Sequence, residues 1–559
     1  MVFAPRAGVC CEFPRQTYCS RRNQPLAQPA KGEFMTAEAA PRANRLFIRK
    51  SIEQVQRESE THRLKRTLGA MNLVLLGIGC IIGAGIYVMT GNAAANFAGP
   101  AVILSFIVAF FACVFAGLCY AELASTMPVA GSAYTYSYTT LGEVFAWIMG
   151  WLLVLEYGVA ASTVAAGWSG NVVSLLANFG LVIPPDLTTS FIKAVQGPGG
   201  LSFVASGGFN VLGALGILGV TALLVLGVSE SASVNNVIVF IKVGVLLLFI
   251  GFGIGFINIH NWQPFIPANE GGFKYGVPGI FRAASVIFFA YVGFEAVSTA
   301  AAEAKNPKKD IPLGILGSLA VCTIIYMLVA AVLTGVVPFR QLGVAAPIAL
   351  AVDQMGMTWF QILIKVGAVA GLTSVMLILT YGQTRVFYAM ARDGLLPRFF
   401  STLHEKFRTP WVGTLALGAI IAVAAAMLPI EILGDLVSLG TATAFAIVCI
   451  SVIHLRRTNP DLERPFTAPF GIVTPILGVF FALVMIAPLI LDMVQKASHG
   501  DPIPASLLGG YLLLGALIYA GYGYRNSRLG QGLAQIDDDQ GAGPGPEQAI
   551  AKGLGDGHG

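Results

Sequence analysis

Apolar segments of about twenty residues recur along the chain between short polar stretches, from Met71 to Tyr522. A helix of about twenty residues is long enough to cross a hydrocarbon layer about 30 Å thick. The pattern therefore predicts an all-α integral membrane protein with about twelve spans, numbered helix 1 to helix 12 in chain order. The predicted spans are 71–91, 100–126, 144–177, 210–228, 234–256, 278–302, 312–336, 359–391, 411–428, 431–455, 472–494 and 504–523.

Charged residues make up 11% of the 559 residues and hydrophobic residues 55%, whereas soluble domains carry about 25% charged residues. Because so few charges cannot cover a water-exposed surface, the composition also indicates a protein of the lipid bilayer. The net charge of +5 is spread over short loops and predicts no nucleic-acid partner. No metal-ligand spacing, nucleophile–base spacing or phosphate loop in a suitable context occurs, so we expect neither an enzyme nor a cofactor.

Basic residues in the loops predict the orientation, because positively charged loops stay in the cytoplasm. On the side of both tails lie Arg42, Arg45, Arg49, Lys50, Arg57, Arg63, Lys65, Arg66, Lys305, Lys308, Lys309, Arg392, Arg398, Lys406, Arg408, Arg456, Arg457, Arg464, Arg525 and Arg528. The opposite loops hold Lys193, Lys274, Arg340 and Lys496. Both termini are therefore predicted to be cytoplasmic, in a plasma membrane that the chain crosses many times.

Both ends of the chain are too polar to span a membrane. Residues 1–70 form the predicted N-terminal tail, and Met35 is a candidate for the true start, so that 1–34 would not be native. Residues 524–559 include consecutive aspartates and several glycines, and such a polar segment cannot bury a core. We therefore expect a disordered cytoplasmic tail at 524–559.

Helix 1 carries four glycines within the nine residues 77–85, although each glycine costs a helix about 1 kcal/mol relative to alanine. One interpretation is close helix packing through the small residues Gly79 and Gly83. The other is a broken helix, whose freed amides at 83–85 suit a carboxylate while the carbonyls freed at 79–81 suit an ammonium group. A free amino acid presents both groups.

Helix 6 repeats this feature, because Gly293 and Glu295 interrupt the aromatic run 288–294. Helices 1 and 6 each open a set of five helices, and an odd number of helices per set forces the two sets into opposite orientations. This arrangement fits inverted repeats, in which broken helices hold the substrate near the middle of the membrane.

Ionisable residues inside spans cost about 2.5–3.5 kcal/mol, so each is a candidate for function. Glu156 lies about 18 Å into helix 3, near the middle of the membrane. Lys242 in helix 5 either extends to the interface or binds and releases a proton, since burial favours the uncharged form of lysine. Lys365 and Asp435 lie nearer the outer ends, where interfacial placement or a structural pair is favoured.

Several strings resemble the amino acid-polyamine-organocation transporter superfamily, and two of them narrow the resemblance to bacterial members of the cationic amino acid transporter family. The resemblance covers roughly residues 50 to 525 and is specific. The strings that carry it are Gly77–Ile86, Tyr120–Ser125 running to Pro128, Gly131 and Tyr134–Tyr136, Gly150–Trp151, Leu155–Tyr157, Phe288–Glu295 running into Lys305–Pro307, and Tyr381–Arg385 running to Arg392–Pro397.

The resemblance implies two inverted five-helix repeats, 71–256 and 278–455, followed by helices 11 and 12 at 472–523, working by alternating access in a bacterial inner membrane. It also implies that backbone atoms bind the amino acid substrate and that one ring closes over it. The implied residues are Gly83, Ala84 and Gly85 for the carboxylate, Ile81, Phe289, Ala290 and Val292 for the amine, and Phe294 for the closing ring. Glu156 either binds the substrate and favours a cationic side chain, or is bound by the backbone or by a neighbouring helix.

The resemblance further implies that Lys242 takes the place of a sodium ion, against helices 1 and 8 near Thr373 and Ser374. Coupling to a proton without sodium is then expected. Relatives commonly have aspartate at the position of Glu295 and two acids at the position of Ala302–Glu303, so a cytoplasmic network cannot be carried over from them.

Proton-coupled amino acid symport is the leading hypothesis from the sequence. Exchange of two amino acids without net proton movement is the alternative transporter hypothesis, and a receptor that binds without transporting is a third. A channel is disfavoured because the candidate site suits a single zwitterion. Substrate choice between small neutral and cationic amino acids stays open, and a small single-helix membrane protein is a candidate partner.

Overall fold

All twelve predicted spans are helical in the structure, a computed structural model that describes residues 46–51, 68–128, 132–197, 200–227, 232–407 and 409–533. Nine helical stretches in these ranges are long and apolar enough to cross a membrane, and three shorter apolar helices, Ala70–Ile81, Val211–Val225 and Trp411–Met427, accompany them. The prediction of an all-α membrane protein is therefore confirmed. The proposed start at Met35 and residues 534–559 lie outside the described residues.

The bounds of the spans agree with the sequence prediction to within a few residues, except that helix 1 ends later, at Ala98, and helix 7 begins earlier. Its first turn contains Pro307, which suits a helix start because it lacks the amide that would go unpaired there. The main helical stretches of the twelve spans are Ala70–Ile81 with Gly85–Ala98, Val102–Thr126, Glu143–Ala177, Val211–Val225, Ala232–Gly253, Gly276–Ile287 with Phe288–Tyr291 and Ala296–Thr299, Pro307–Val336, Thr358–Arg392, Trp411–Met427, Ile430–Thr458, Val473–Ser498 and Ile503–Asn526.

Helix packing joins the two halves of the chain into one apolar core. Helix 7 packs against helices 1 and 2, helix 8 against helix 3, helix 4 against helix 9, and helix 10 against helix 11. The largest group of buried apolar side chains runs through helices 1, 2, 6, 7, 8 and 10. The broken segments of helices 1 and 6 lie inside this core, where lipid cannot reach them.

Helix 1 is interrupted near its middle. Its first α-helical part ends at Ile81, Ile82 is extended with φ −70° and ψ 101°, and helical structure resumes with a π-helical turn at Gly85–Met89. Helix 6 tightens to a 3-10 turn at Phe288–Tyr291 before Val292 becomes extended. Gly293 follows with φ 115°, a conformation that glycine adopts without steric cost.

Three elements were not predicted from the sequence. A short helix, Ser132–Thr140, connects helices 2 and 3, and another, Pro347–Gln354, precedes helix 8. Between helices 3 and 4, the strands Ile192–Gly197 and Gly200–Ala205 form an antiparallel hairpin. We call the side of the membrane on which this hairpin lies the hairpin side.

The opposite side, which we call the tail side, is where residues of both tails pack together. Lys50 forms an ion pair with Asp393 at 2.6 Å, and the amide of Glu143 donates to the carbonyl of Ile48 at 3.0 Å. Residues 524–533, predicted to belong to the disordered tail, instead continue helix 12 to Asn526 and add a 3-10 turn at Leu529–Gln531. The side chain of Ser527 there is buried and donates to Glu143.

Candidate functional site

The breaks in helices 1 and 6 lie directly against each other. A methyl group added to Gly85 would overlap the Cα of Ala290, and one added to Gly293 would lie 2.8 Å from the carbonyl carbon and oxygen of Cys80. Real Cβ atoms are not found so close to a backbone atom. The two glycines are therefore required for the two unwound backbones to meet.

The backbone groups that were predicted from the sequence lie around this contact. Ile81, Gly83, Ala84 and Gly85 surround the break of helix 1, and Phe289, Ala290 and Val292 surround the break of helix 6; all seven are buried. The first amides of a helix have no partner within that helix. The helical part that resumes after Gly83 therefore directs its positive end toward the contact between the breaks.

Tyr326 of helix 7 joins both breaks and was not singled out from the sequence. Its hydroxyl lies 2.8 Å from the carbonyl oxygen of Ile81 and 3.2 Å from that of Ala290, within donating distance of both. These are two of the four carbonyls that the family resemblance assigns to a substrate amine. The hydroxyl of Tyr326 therefore occupies a position that the resemblance assigns to an ammonium group.

We expect Tyr326→Phe to lower the thermal stability of the substrate-free protein and to enlarge the stabilisation by a bound amino acid. The one hydroxyl proton that the two buried carbonyls share would be lost, at a cost of about 1–3 kcal/mol, and the ammonium group of a ligand would supply a donor again. Thermal unfolding with and without amino acid measures both effects. Tyr87→Phe is the matched control, because the buried hydroxyl of Tyr87 has no hydrogen-bond partner in the described part of the chain. Equal ligand shifts in the two variants would contradict this role.

Lys242 is buried beside the break of helix 1. Its Nζ donates to the carbonyl oxygen of Gly79 at 3.0 Å, and its side chain is 1% exposed. A Cβ on Gly371 of helix 8 would lie 3.2 Å from its Cγ. The residue therefore lies between helices 1 and 8, where the sequence placed it, and does not extend to the interface.

The hydroxyls of Thr373 and Ser374 are also engaged in this region of helix 8. Thr373 accepts from the indole of Trp168 at 3.0 Å and donates to the carbonyl of Val369 at 2.8 Å, whereas Ser374 donates to the carbonyl of Gly371 at 3.0 Å. The bond of Trp168 to Thr373 joins helix 3 to helix 8, while the other two bonds lie within helix 8.

Aromatic rings cover the tail side of the helix 6 break. The ring of Phe294 is fully buried, 5.0 Å from the ring of Phe445 and 5.8 Å from that of Tyr120 between centroids. The latter pair meets edge to face, a favourable arrangement for aromatic rings. Phe294 thus packs in an aromatic cluster next to the candidate backbone site.

Glu156 lies in a π-helical turn of helix 3, Val154–Val159, and is fully buried. Neither of its carboxyl oxygens has a hydrogen-bond partner within the described ranges. Its electrostatic neighbour is Glu295, which accepts from the amide of Gly293 at 2.9 Å and from the hydroxyl of Tyr157 at 3.4 Å. The structure therefore places Glu156 beside a second acid at the helix 6 break.

Three further ionisable residues of the spans form ion pairs. Lys365 pairs with Asp353 at 2.7 Å and also donates to Asn178. Asp435 pairs with Arg282 at 2.6 Å. Glu122 forms a bidentate pair with Arg456 near the tail-side end of helix 2. The first two contacts agree with the structural-pair interpretation of Lys365 and Asp435.

Broken helices that meet inside a twelve-helix bundle, with backbone dipoles turned toward one buried point, define a membrane transporter. The comparisons with known proteins agree, because the family described as amino acid permease matches residues 68–514. The chain belongs to this amino acid permease family, within the amino acid-polyamine-organocation superfamily.

Three relatives show the range of substrates for which members of the family are named. The chain is 45% identical over 488 residues to a branched-chain amino acid permease of Bacillus subtilis, covering 87% of this chain and 99% of the relative. It is 45% identical over 438 residues to a methylthioribose transporter of the same species, covering 78% and 91%. It is 37% identical over 420 residues to vacuolar cationic amino acid transporter 4 of Arabidopsis thaliana, covering 75% and 68%. Transport, and not catalysis, is thus the activity of this chain.

Proposed function

We propose that the protein takes up neutral amino acids with branched apolar side chains, driven by protons, across the plasma membrane. In this proposal the carboxylate binds the amides of Gly83, Ala84 and Gly85. The amine binds carbonyls of Ile81, Phe289, Ala290 and Val292 as Tyr326 gives way, and Phe294 closes the site. Two inverted repeats, 71–256 and 278–455, move against each other around this site, and both termini are cytoplasmic.

The contact between the breaks of helices 1 and 6 is the observation that supports the proposal most directly. It brings Gly85 against Ala290 and Gly293 against Cys80, and in this proposal the amides and carbonyls of these unwound segments bind the two charged groups of a zwitterion. A side chain such as that of leucine carries no charge, so binding relies on the backbone for the charged groups and on apolar walls for the remainder. Val375, which lies 3.1 Å from a Cβ added to Gly83, and Phe294 supply such walls.

The substrate class is supported by the coverage of the relatives. The branched-chain amino acid permease matches along nearly its whole length, 99%, whereas the vacuolar cationic amino acid transporter is covered to 68%. We therefore propose branched-chain amino acids ahead of cationic ones.

Lys242 is proposed as the proton-binding group. Its ammonium group donates to Gly79, two residues before Ile81, so loss of the proton would change the backbone that holds the substrate. This link between protonation and the helix 1 break is the physical basis for coupling. Sodium is not needed in this proposal, because the lysine supplies the positive charge.

Uptake by proteoliposomes tests the proposal. We expect radiolabelled L-leucine to accumulate when the lumen is alkaline, equally in sodium and choline buffers, and L-arginine to accumulate less. Accumulation only against internal leucine, without response to the pH gradient, would instead establish exchange. Methylthioribose is included because one relative is named for it; uptake of methylthioribose without any amino acid would refute the proposal.

A further inference from the structure

A polar cavity lies on the hairpin side of the candidate site, between the ends of helices 1, 6, 10 and 11 and the hairpin. Its volume is about 10 Å³, which is room for about one water molecule. Arg282 lies six residues before Phe288, so the cavity is about 9 Å along helix 6 from the break. The lining residues are Asn92, Phe97, Phe203, Arg282, Val286, Glu431, Asp435 and Lys496.

Arg282 is the central group of this cavity. Its side chain is 1% exposed, its Nη2 pairs with Asp435 at 2.6 Å, and its Nε donates to Asp492 at 3.0 Å. The guanidinium carbon lies 4.6 Å from the ring centre of Phe97. Nη1 is buried without a hydrogen-bond partner among the described residues, which is unusual for a group of this polarity.

Glu431 faces the same cavity from helix 10. It accepts from the side-chain amide of Asn92 at 2.9 Å and is partly exposed to the cavity. Lys496 lies on the rim, paired with Asp492 at 3.0 Å and 5.6 Å from the ring centre of Phe203. An unused donor of Arg282, buried beside the cavity, and a carboxylate acceptor at Glu431 thus lie between two aromatic rings.

We propose that this cavity is the closed form of an outer binding site for the amino acid zwitterion, where substrate binds before it reaches the broken helices. The carboxylate would bind Nη1 of Arg282, and the ammonium group would bind Glu431. The inference rests on the proposed function, because the occupant is the transported amino acid. For the amino acid to enter the cavity, the hairpin must move away from helix 10, because its Phe203 lines the cavity.

A zwitterion fits this charge arrangement better than an inorganic ion does. Arg282 and Lys496 oppose Asp435, Asp492 and Glu431, so the group has one more negative than positive side chain. That surplus disfavours an inorganic anion, while the unused donor of Arg282 repels an inorganic cation. A zwitterion presents its carboxylate to Arg282 and its ammonium group to Glu431.

The test uses full-length protein with Glu431→Gln and Arg282→Lys. Glutamine keeps the oxygen that accepts from Asn92, and lysine keeps the charge but lacks the forked donor geometry of arginine. In proteoliposomes we expect either variant to raise the half-saturating L-leucine concentration about tenfold, the loss of one charged hydrogen bond, with the maximal rate within about twofold of wild type. Leucine methyl ester and N-acetylleucine each lack one charge, and we expect neither to compete.

Glu270→Gln is the matched control on the same side of the membrane. Hydrogen bonds from Arg340 and Lys274 hold the pKa of Glu270 below its ordinary value, but Glu270 does not line the cavity. This exposed pair contributes little to stability, so uptake should match wild type.

Binding to protein in nanodiscs separates the two sites. With the central site obstructed by Gly85→Ala, we expect weak L-leucine binding to remain and to disappear when Glu431→Gln is added. If both cavity variants keep the half-saturation of Glu270→Gln and Gly85→Ala abolishes all binding, the cavity is only structural and the inference is overturned. A wild-type protein that neither binds nor transports any amino acid overturns the proposed function itself.

Discussion

Gly85→Ala is expected to abolish amino acid uptake while leaving the protein folded in the membrane. The added methyl group would overlap the Cα of Ala290, which is backbone and cannot turn aside as a side chain can. Overpacking of this kind costs about 1–3 kcal/mol. Because it separates the two broken helices at the proposed substrate site, central-site affinity should fall on the order of a hundredfold. Initial rates of L-leucine uptake in proteoliposomes measure the loss.

Gly251→Ala provides the control for this change. Gly251 lies in helix 5, and a Cβ there would meet no atom within 4 Å, while alanine favours the helix by about 1 kcal/mol. It should transport at the wild-type rate. If Gly85→Ala also transports normally at matched protein levels, the contact between the breaks does not form the substrate site.

Lys242→Met is expected to uncouple amino acid transport from the proton gradient. Methionine fills most of the same space but has no proton to exchange. A pH difference of one unit supports about tenfold accumulation with one proton per substrate, and the variant should accumulate L-leucine no higher than the external concentration. Exchange against internal leucine should persist, because the backbone groups remain.

Lys365→Met is the matched control, since it also replaces a buried lysine of a span. Lys365 pairs with Asp353, whose side chain is 40% exposed and can be solvated when the lysine is lost. We expect Lys365→Met to lower stability but to keep gradient-driven accumulation. Equal accumulation by Lys242→Met and wild type would mean that another group carries the proton.

The twelve spans and the two breaks could be predicted because their signals are local. Runs of apolar residues fix the spans, and the cluster of glycines around Gly83 and the glycine at Gly293 each lower the stability of an unbroken helix. The hairpin also carried a signal, since Gly197–Gly200 lies between two runs rich in β-branched and aromatic residues. Both runs are too short to cross a membrane, so the pattern of long apolar segments does not reveal the hairpin.

Tyr326 and Arg282 could not be assigned in the same way. Tyrosine is ordinary in an apolar span, and only the three-dimensional structure brings its hydroxyl to the carbonyls of Ile81 and Ala290. Arg282 did carry a signal, because arginine inside a predicted span is costly. Its acidic partners Asp435 and Asp492 lie 153 and 210 residues later, so the sequence does not reveal the pairing.

The ion pair of Lys50 and Asp393 bears on how the resting protein avoids leakage. Tyr134 donates to the same aspartate at 2.7 Å, so the N-terminal segment, the end of helix 8 and the Ser132–Thr140 helix share one buried charge. Separating a pair so removed from water leaves a buried charge without its partner, which is costly. An unloaded carrier would thus rest with its tail-side exit shut, and solutes or protons would not slip through between productive cycles.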